Sequence, residues 1–235
     1  MNKLIVVTGG TKGIGKAIIE KFASEGFDVV TCSRNEEDLI SLREEIQAKF
    51  SNVKVFIKKS DLAKKEDAFA FTKYVESKNR PVDVLVNNTG FFIPGTVHEE
   101  EDGALALMMN TNLYSAYHVT RGLIGAMKTR QKGHIFNICS VASITAYPNG
   151  GSYSISKFAM YGMSKALREE MKTHGVRVTA ILPGATLTAS WEGVELLPER
   201  FVKASDVADA IFNANSISQQ SVIEDIIIRP QLGDI

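Results

Sequence analysis

The chain is predicted to form an α/β fold: one doubly wound parallel sheet of seven strands in the order 3-2-1-4-5-6-7. Three observations lead there. Short β-branched runs alternate with helix-length amphipathic stretches, and a glycine-rich turn follows the first run. The length, 235 residues, suits a single domain over 1–235 with one sizeable core. Strands separated by helices need right-handed crossovers, which set the strands parallel.

The first strand, 4–8, is the run Leu4-Ile5-Val6-Val7-Thr8. One lysine precedes it and Gly9-Gly10 follows, so it reads as a core strand and not as a signal peptide. A helix is expected over 14–24, then strands 28–32 and 53–58 around a helix over 36–50. Helix 65–77 leads into strand 82–87, and a long helix spans 100–130. Strands 133–140, 177–182 and 223–229 alternate with helices 153–173 and 206–214. Continuous runs such as Ile226-Ile227-Ile228 suit strands buried on both faces. Gly175 after His174 reads as a helix C-cap.

Composition narrows the function classes. Hydrophobic residues make up 44% and charged residues 23%, with a formal net charge of +0, so there is no electrostatic case for nucleic acid or an acidic membrane surface. No apolar run approaches the ~20 residues that span a bilayer. Cys32 and Cys139 end apolar runs, where free cysteine acts as a small hydrophobe. Two such cysteines and no secretory signal suit a reducing cytoplasm without a disulfide. His98, His118, His134 and His174 lack metal-ligand spacing, so they read as surface or capping residues and no metal is expected.

The turn after the first strand is Thr8-Gly9-Gly10-Thr11-Lys12-Gly13-Ile14-Gly15. Glycines let the backbone approach a pyrophosphate, and a helix N-terminus supplies amide donors and positive potential. The second strand runs into Ser33-Arg34, where an NAD site places an acidic residue for the ribose 2′-hydroxyl. A hydroxyl with Arg34 and Lys12 suits a 2′-phosphate instead, hence NADP(H). Glu36 and Glu37 are the alternative acid, with Arg34 then a solvated charge.

Ser140, Tyr153 and Lys157 carry the chemistry. Tyr153 and Lys157 are one helical turn apart on one face, so a phenol and an ammonium can meet over one reacting atom. A phenol near pKa ~10 is a poor catalyst at neutral pH, and a close cation pulls it toward the working range.

Together these residues resemble the short-chain dehydrogenase/reductase family along essentially the whole chain. The matching pieces are Thr8-x-x-x-Gly13-Ile14-Gly15, Asp61-Leu62, Asn87-Asn88-Thr89-Gly90, Asn112, Ser140, Tyr153-x3-Lys157 and Pro183-Gly184-x3-Thr188. Thr89 stands where the family usually has Ala. The resemblance implies a Rossmann fold whose cofactor lies along Gly9, Thr11 to Gly15 and Ser33-Arg34, with Asp61 and Leu62 at the adenine edge. It also implies that Asn88 to Gly90 line the cleft and that Pro183, Gly184 and Thr188 cover the nicotinamide. Among members, the chain is most similar to bacterial sepiapterin reductases through Met109-Asn110-Thr111-Asn112-Leu113, Gly133-His134-Ile135-Phe136, Trp191 and the ending Arg229-Pro230-Gln231-Leu232-Gly233-Asp234-Ile235.

The implied reaction is hydride transfer from NADPH to a ketone or aldehyde carbon. Tyr153 would protonate the oxygen, Ser140 would hydrogen-bond it, and Lys157 would lower the Tyr153 pKa and bind the ribose. Asn112 would hold a water that resupplies protons through Lys157. Phe91-Phe92, Tyr147 and Trp191 would wall a flat heteroaromatic substrate such as a pterin, with Glu192, Glu195 or Asp234 meeting its N–H groups. The alternatives are a 3-oxoacyl-thioester or broad-specificity ketone reductase, against which the acidic run Glu99-Glu100-Glu101-Asp102 weighs, and a nucleotide sensor without turnover. Surplus apolar positions on helices 100–130 and 153–173 (Leu105, Leu107, Met108, Met109, Phe158, Met160, Tyr161 and Met163) point to a homodimer or homotetramer built on those helices.

Overall fold

Every residue of the first strand, β1 (Leu4–Thr8), is buried, as a strand covered on both faces requires. The computed structural model describes residues 1–188 and 196–234. After β1 the elements run α1 (Gly13–Ser24), β2 (Asp28–Ser33), α2 (Glu36–Lys49), β3 (Val55–Lys59), α3 (Lys65–Glu76), β4 (Val84–Asn87), α4 (Ala104–Met108) and α5 (Ser115–Arg130). They continue with β5 (Gly133–Ile138), α6 (Gly151–Met171), β6 (Val176–Pro183), α7 (Ala204–Ser216) and β7 (Asp225–Ile228). The seven strands form one parallel sheet in the order β3-β2-β1-β4-β5-β6-β7, as expected.

The period-2 side-chain alternation of the strands divides the core into two layers. Ile5, Val7, Val84 and Val86 face α1, α2 and α7 through Ile18, Phe22, Ile46 and Ile211. Leu4, Val6 and Leu85 face the opposite layer, with Phe71 and Val75 of α3 and Val119 and Leu123 of α5. All strands therefore point their carboxyl ends at one edge of the sheet, and the glycine turn, Ser140 and the start of α6 all lie along it. Among the described residues no helix is long and apolar enough to cross a membrane.

Several expectations are corrected. The helix expected over 100–130 begins at Ala104 and is broken by a π-helical turn, Met109–Tyr114, between α4 and α5. One extra residue in that turn shifts the register and turns Asn112 inward, where it is fully buried. The strand expected to reach Ser140 ends at Ile138, because Ser140 and Ser143 form a reciprocal cap on a 3-10 turn. Ile226 to Ile228 are not buried on both faces: β7 is a sheet edge and Ile227 is 54% exposed. His134 is a core residue, hydrogen-bonded at 2.8 Å to Thr179, and not a surface one. Of the apolar surplus on the long helices, Met108 and Met160 belong to the core and Tyr161 and Met163 pack on it, whereas Leu105, Leu107 and Phe158 are exposed.

Candidate active site

The turn between β1 and α1 is stapled to the strand beside it. The Asn88 side-chain amide donates to the Thr8 and Gly9 carbonyl oxygens at 3.0 and 2.9 Å. The Thr8 hydroxyl oxygen accepts the backbone N–H of Asn88 and of Thr89, both at 3.0 Å. Gly15 is where the turn is tightest: a Cβ there would overlap the Gly9 carbonyl oxygen and stand 2.5 Å from Asn88 Nδ2. Lys12 precedes α1 without a capping side chain, and no acidic residue occupies the helix's first turn. Thr188 lies over this turn, its Cγ2 3.0 Å from where a Gly13 Cβ would be.

At the far end of the turn, Thr11 Oγ1 and Ser33 Oγ approach to 3.4 Å. Arg34 is exposed and has no hydrogen-bond or ion-pair partner among the described residues. Lys12, expected to be a second free cation, is paired with Asp38 at 3.1 Å, and Glu36 and Glu37 lie exposed in the first turn of α2. Asp38 escaped the sequence reading; its signal was the Asn35 cap, which places the third helical residue at the helix mouth. Asp61 accepts the Ala63 N–H at 3.3 Å, and Leu62 is buried beside it.

Ser140, Tyr153 and Lys157 converge where β5 ends. Ser140 is 8% exposed, and its hydroxyl oxygen caps Ala142 N–H at 3.1 Å. Tyr153 is only partly buried as a residue, yet desolvation pushes its phenol up to about 12, with a hydrogen bond from the Ser140 side chain pulling the other way. Lys157 is 5% exposed, donates to the Ile138 carbonyl at 2.8 Å, and is lowered to about 8 by burial. The depression of the Tyr153 pKa expected from Lys157 is not seen. The ammonium is engaged by Ile138 and lies 5.7 Å from the Tyr153 ring centre, and burial outweighs the rest.

Asn112 holds this group from behind. Its side chain accepts from Phe91 N–H at 2.9 Å and donates to the Phe91 carbonyl at 3.1 Å and to Ser156 Oγ at 2.9 Å. Ser156 donates in turn to the Tyr153 carbonyl at 2.7 Å. Gly90 stands between the two ends of the cleft; a Cβ there would be 3.0 Å from Asn112 Oδ1 and 3.5 Å from Lys157 Nζ. A buried chain, Thr120–Asn87–Asn137–Ser164, ties α5, β4, β5 and α6 together beneath the site. Sequence reading did not find Ser156, Asn137 or Ser164, because serine and asparagine in a run carry no sign of burial.

The expected substrate walls are distributed unevenly. Phe92 meets the Tyr153 ring edge-on at 4.9 Å. Tyr147 lines a cavity of about 660 Å³ with Thr96, Val97, Pro148, Ile155 and Phe158, and neither Tyr153 nor Lys157 contributes to it. Pro183 ends β6, and Gly184 packs against Arg229, Pro230 and Asp234 of the C-terminal segment. Trp191, Glu192 and Glu195 lie outside the described residues.

Known proteins share this sequence pattern and fold. The family model described as short chain dehydrogenase matches residues 3–196. Sepiapterin reductase of Chlorobaculum tepidum is 30% identical over 243 residues, covering 100% of this chain and 99% of that protein. A diacetyl reductase, (S)-acetoin forming, of Staphylococcus epidermidis is 28% identical over 88% of this chain and 79% of its own length. The L-sorbose reductase of Gluconobacter frateurii, solved with NADPH and L-sorbose, superposes with a TM-score of 0.89 at 27% identity over 97% of this chain and 95% of that one. By its sequence, fold and the position of its glycine turn, this chain is an oxidoreductase of the short-chain dehydrogenase/reductase family.

Proposed function

We propose that this protein is a single-domain NADPH-dependent carbonyl reductase that delivers hydride to a ketone, with Tyr153 as proton donor and a pterin side-chain ketone as substrate. The observation that carries the reading is the convergence of the Ser140 hydroxyl, the Tyr153 phenol and the Lys157 amine at the carboxyl end of β5, across Gly90 from the glycine turn. The turn suits a dinucleotide diphosphate. Its helix is uncapped and free of acid in the first turn, and Gly15 lets the turn close tightly against the Gly9 carbonyl oxygen and Asn88. Arg34, without a partner among the described residues at the end of β2, suits a 2′-phosphate, and the solved relative that binds NADPH supports that choice.

When bound, the reduced nicotinamide supplies the hydride. The residues of this chain do the rest. Ser140 orients the carbonyl oxygen and Tyr153 gives it a proton as charge develops, its high pKa keeping the proton in place until then. Lys157 binds ribose hydroxyls and places a positive charge behind the phenol. Asn112 fixes Phe91 and, through Ser156, the turn that carries Tyr153. The pterin assignment rests on the Chlorobaculum tepidum relative, and Tyr147 remains the proposed aromatic contact. The enzyme acts as a homo-oligomer, because Leu105, Leu107, Tyr114, Tyr117, Ile155 and Phe158 leave apolar side chains exposed along α4 to α6. Its two buried free thiols suit the cytoplasm.

NADPH absorbance decay with sepiapterin, diacetyl and an acetoacetyl thioester, run in parallel and repeated with NADH, tests the reading. Sepiapterin with NADPH should turn over fastest. Preference for the thioester would replace the pterin assignment, and no oxidation of NADPH with any of the three would overturn the reductase reading. Light scattering at micromolar concentration should give at least twice the 25.7 kDa chain mass.

A further inference from the structure

We propose that Glu100 is a positioning residue for the proton donor: it caps the catalytic helix α6 from outside and fixes the turn that presents Tyr153. The inference rests on Tyr153 being that donor. The first backbone N–H groups of a helix have no partner within it, and a side chain at the N-cap usually takes one. α6 begins after Gly150, which has no side chain to offer. Glu100, 52 residues upstream of Ser152, fills the gap. One carboxylate oxygen accepts the Ser152 N–H at 2.8 Å and the other accepts the Ser152 hydroxyl.

The surroundings are shaped for this carboxylate. A Cβ on Gly151 would overlap Glu100 Oε1, and one on Gly95 would stand 2.7 Å from Glu100 Cγ. Gly95 N–H donates to the Asn149 carbonyl at 3.0 Å, so the segment that carries Glu100 is also joined to the approach to α6. The negative charge sits at the positive end of a 21-residue helix, where it is stabilised. Neighbouring Glu99 instead accepts from Thr96 at 3.0 Å, and Glu101 and Asp102 are exposed. One acid of the four-residue run is therefore built into the helix start.

Tyr153 follows Ser152 directly, so the clasp acts one residue from the phenol. The same segment reaches the ring itself, through Phe92 at 4.9 Å, and Asn112 holds Phe91 in place. Farther along, α6 is anchored independently by Met160, Ser164 and Met171 in the core. Loss of Glu100 thus loosens the first turn and leaves the rest of the helix docked. A displacement of about 1 Å in a reacting group is enough to cost on the order of a hundredfold in rate.

The test uses the full chain with NADPH and whichever of sepiapterin and diacetyl it reduces. Glu100→Ala should lower kcat at least about tenfold, with the NADPH Kd and the carbonyl KM changed less than about threefold. Glu100→Gln keeps an oxygen for the Ser152 N–H and should recover most of the loss, and Glu101→Ala should match the wild type. In the Glu100→Ala chain, amide exchange at residues 152–154 should speed up while exchange at 160–171 stays unchanged. Adding Ser152→Ala to Glu100→Ala should cost little more than Glu100→Ala alone. An unchanged kcat in Glu100→Ala overturns the proposal, as does exchange that rises along the whole of α6. Should Glu100→Ala fail to fold, the Glu100→Gln and Ser152→Ala chains decide by the same kcat and exchange measurements. A Tyr153→Phe chain that keeps turnover would refute the proton-donor reading instead, and an inactive Tyr153→Phe beside a fully active Glu100→Ala refutes only the positioning role. If neither carbonyl is reduced, the exchange pattern alone decides whether Glu100 holds the turn.

Discussion

Two helix N-termini meet the cleft, and they are finished in opposite ways. The first turn of α1 has no capping side chain and no acid, and its glycines let the backbone pack closely where side chains would clash. The first turn of α6 is closed by the Glu100 carboxylate, drawn from a distant loop. Both ends carry the same partial positive charge. Left open, it is available to a ligand anion; closed by a protein anion, it becomes a rigid mount for Tyr153. One end of the cleft is thus organised to bind by backbone shape, the other to hold a titratable side chain in position. Substitutions at the two ends should therefore affect different observables.

The largest effect belongs to the chemical end. Tyr153→Phe keeps the ring against Phe92 and removes only the hydroxyl that carries the proton. It should lower kcat by on the order of a thousandfold, the range of general acid catalysis, with NADPH affinity nearly intact. Steady-state rates beside a fluorescence titration of NADPH would show the split. A parallel loss of affinity would mean that the two ends are not separable.

The binding end should respond in the reverse sense. Gly15→Ala forces a Cβ into the Gly9 carbonyl oxygen and Asn88 Nδ2, neither of which can move without undoing the staple to β4. Overpacking of this kind costs about 1–3 kcal/mol, or roughly ten- to a hundredfold in NADPH affinity if the turn absorbs it. Turnover of the residual complex at saturating NADPH should stay near normal. An unchanged Kd would show that the turn is looser than its contacts suggest. Arg34→Ala sharpens the same end: losing a charge-assisted contact should cost on the order of 2 kcal/mol, about thirtyfold, for NADPH and much less for NADH. Equal losses for both cofactors would leave Arg34 a solvated charge.

How much of this was legible in the sequence follows the same division. The glycine turn could be read because it is local: strand, glycines and helix are consecutive, and the chemistry is in the backbone. The strand order followed from the alternation of elements and from that turn. The π-helical turn at Met109–Tyr114 could not be read, since a single extra residue barely disturbs a helical apolar pattern. The clasp was hidden for another reason. Glu100 meets a backbone amide 52 residues away, and in the sequence it is one acid in a run of four. Lys12 was read as free because Asp38 lies on the next helix. Ile227 was read as buried because a run of isoleucines looks the same at a sheet edge as at its centre.

The smallest expected effect is on pH dependence, and it connects the two ends through Lys157. Burial lowers this amine from 10.5 to about 8, while Tyr153 is raised to about 12. Carbonyl reduction needs the phenol protonated, which it remains well into the alkaline range, so Tyr153 does not set the alkaline limit. Lys157 does: kcat/KM should be level below about 8 and fall about tenfold per unit above it as the cation is lost. Stability should move the other way. The folded state resists the proton on Lys157, so a cost is fully present below about 8. Between there and 10.5 the unfolded chain holds more protons than the folded one, and the contribution of this group to stability rises with pH. Lys157→Met should raise the urea midpoint at pH 7 and abolish that alkaline rise relative to the wild type. Midpoints of the two chains that run parallel from pH 7 to 10 would show that burial does not depress the Lys157 amine, and the alkaline limb of activity would then need another group.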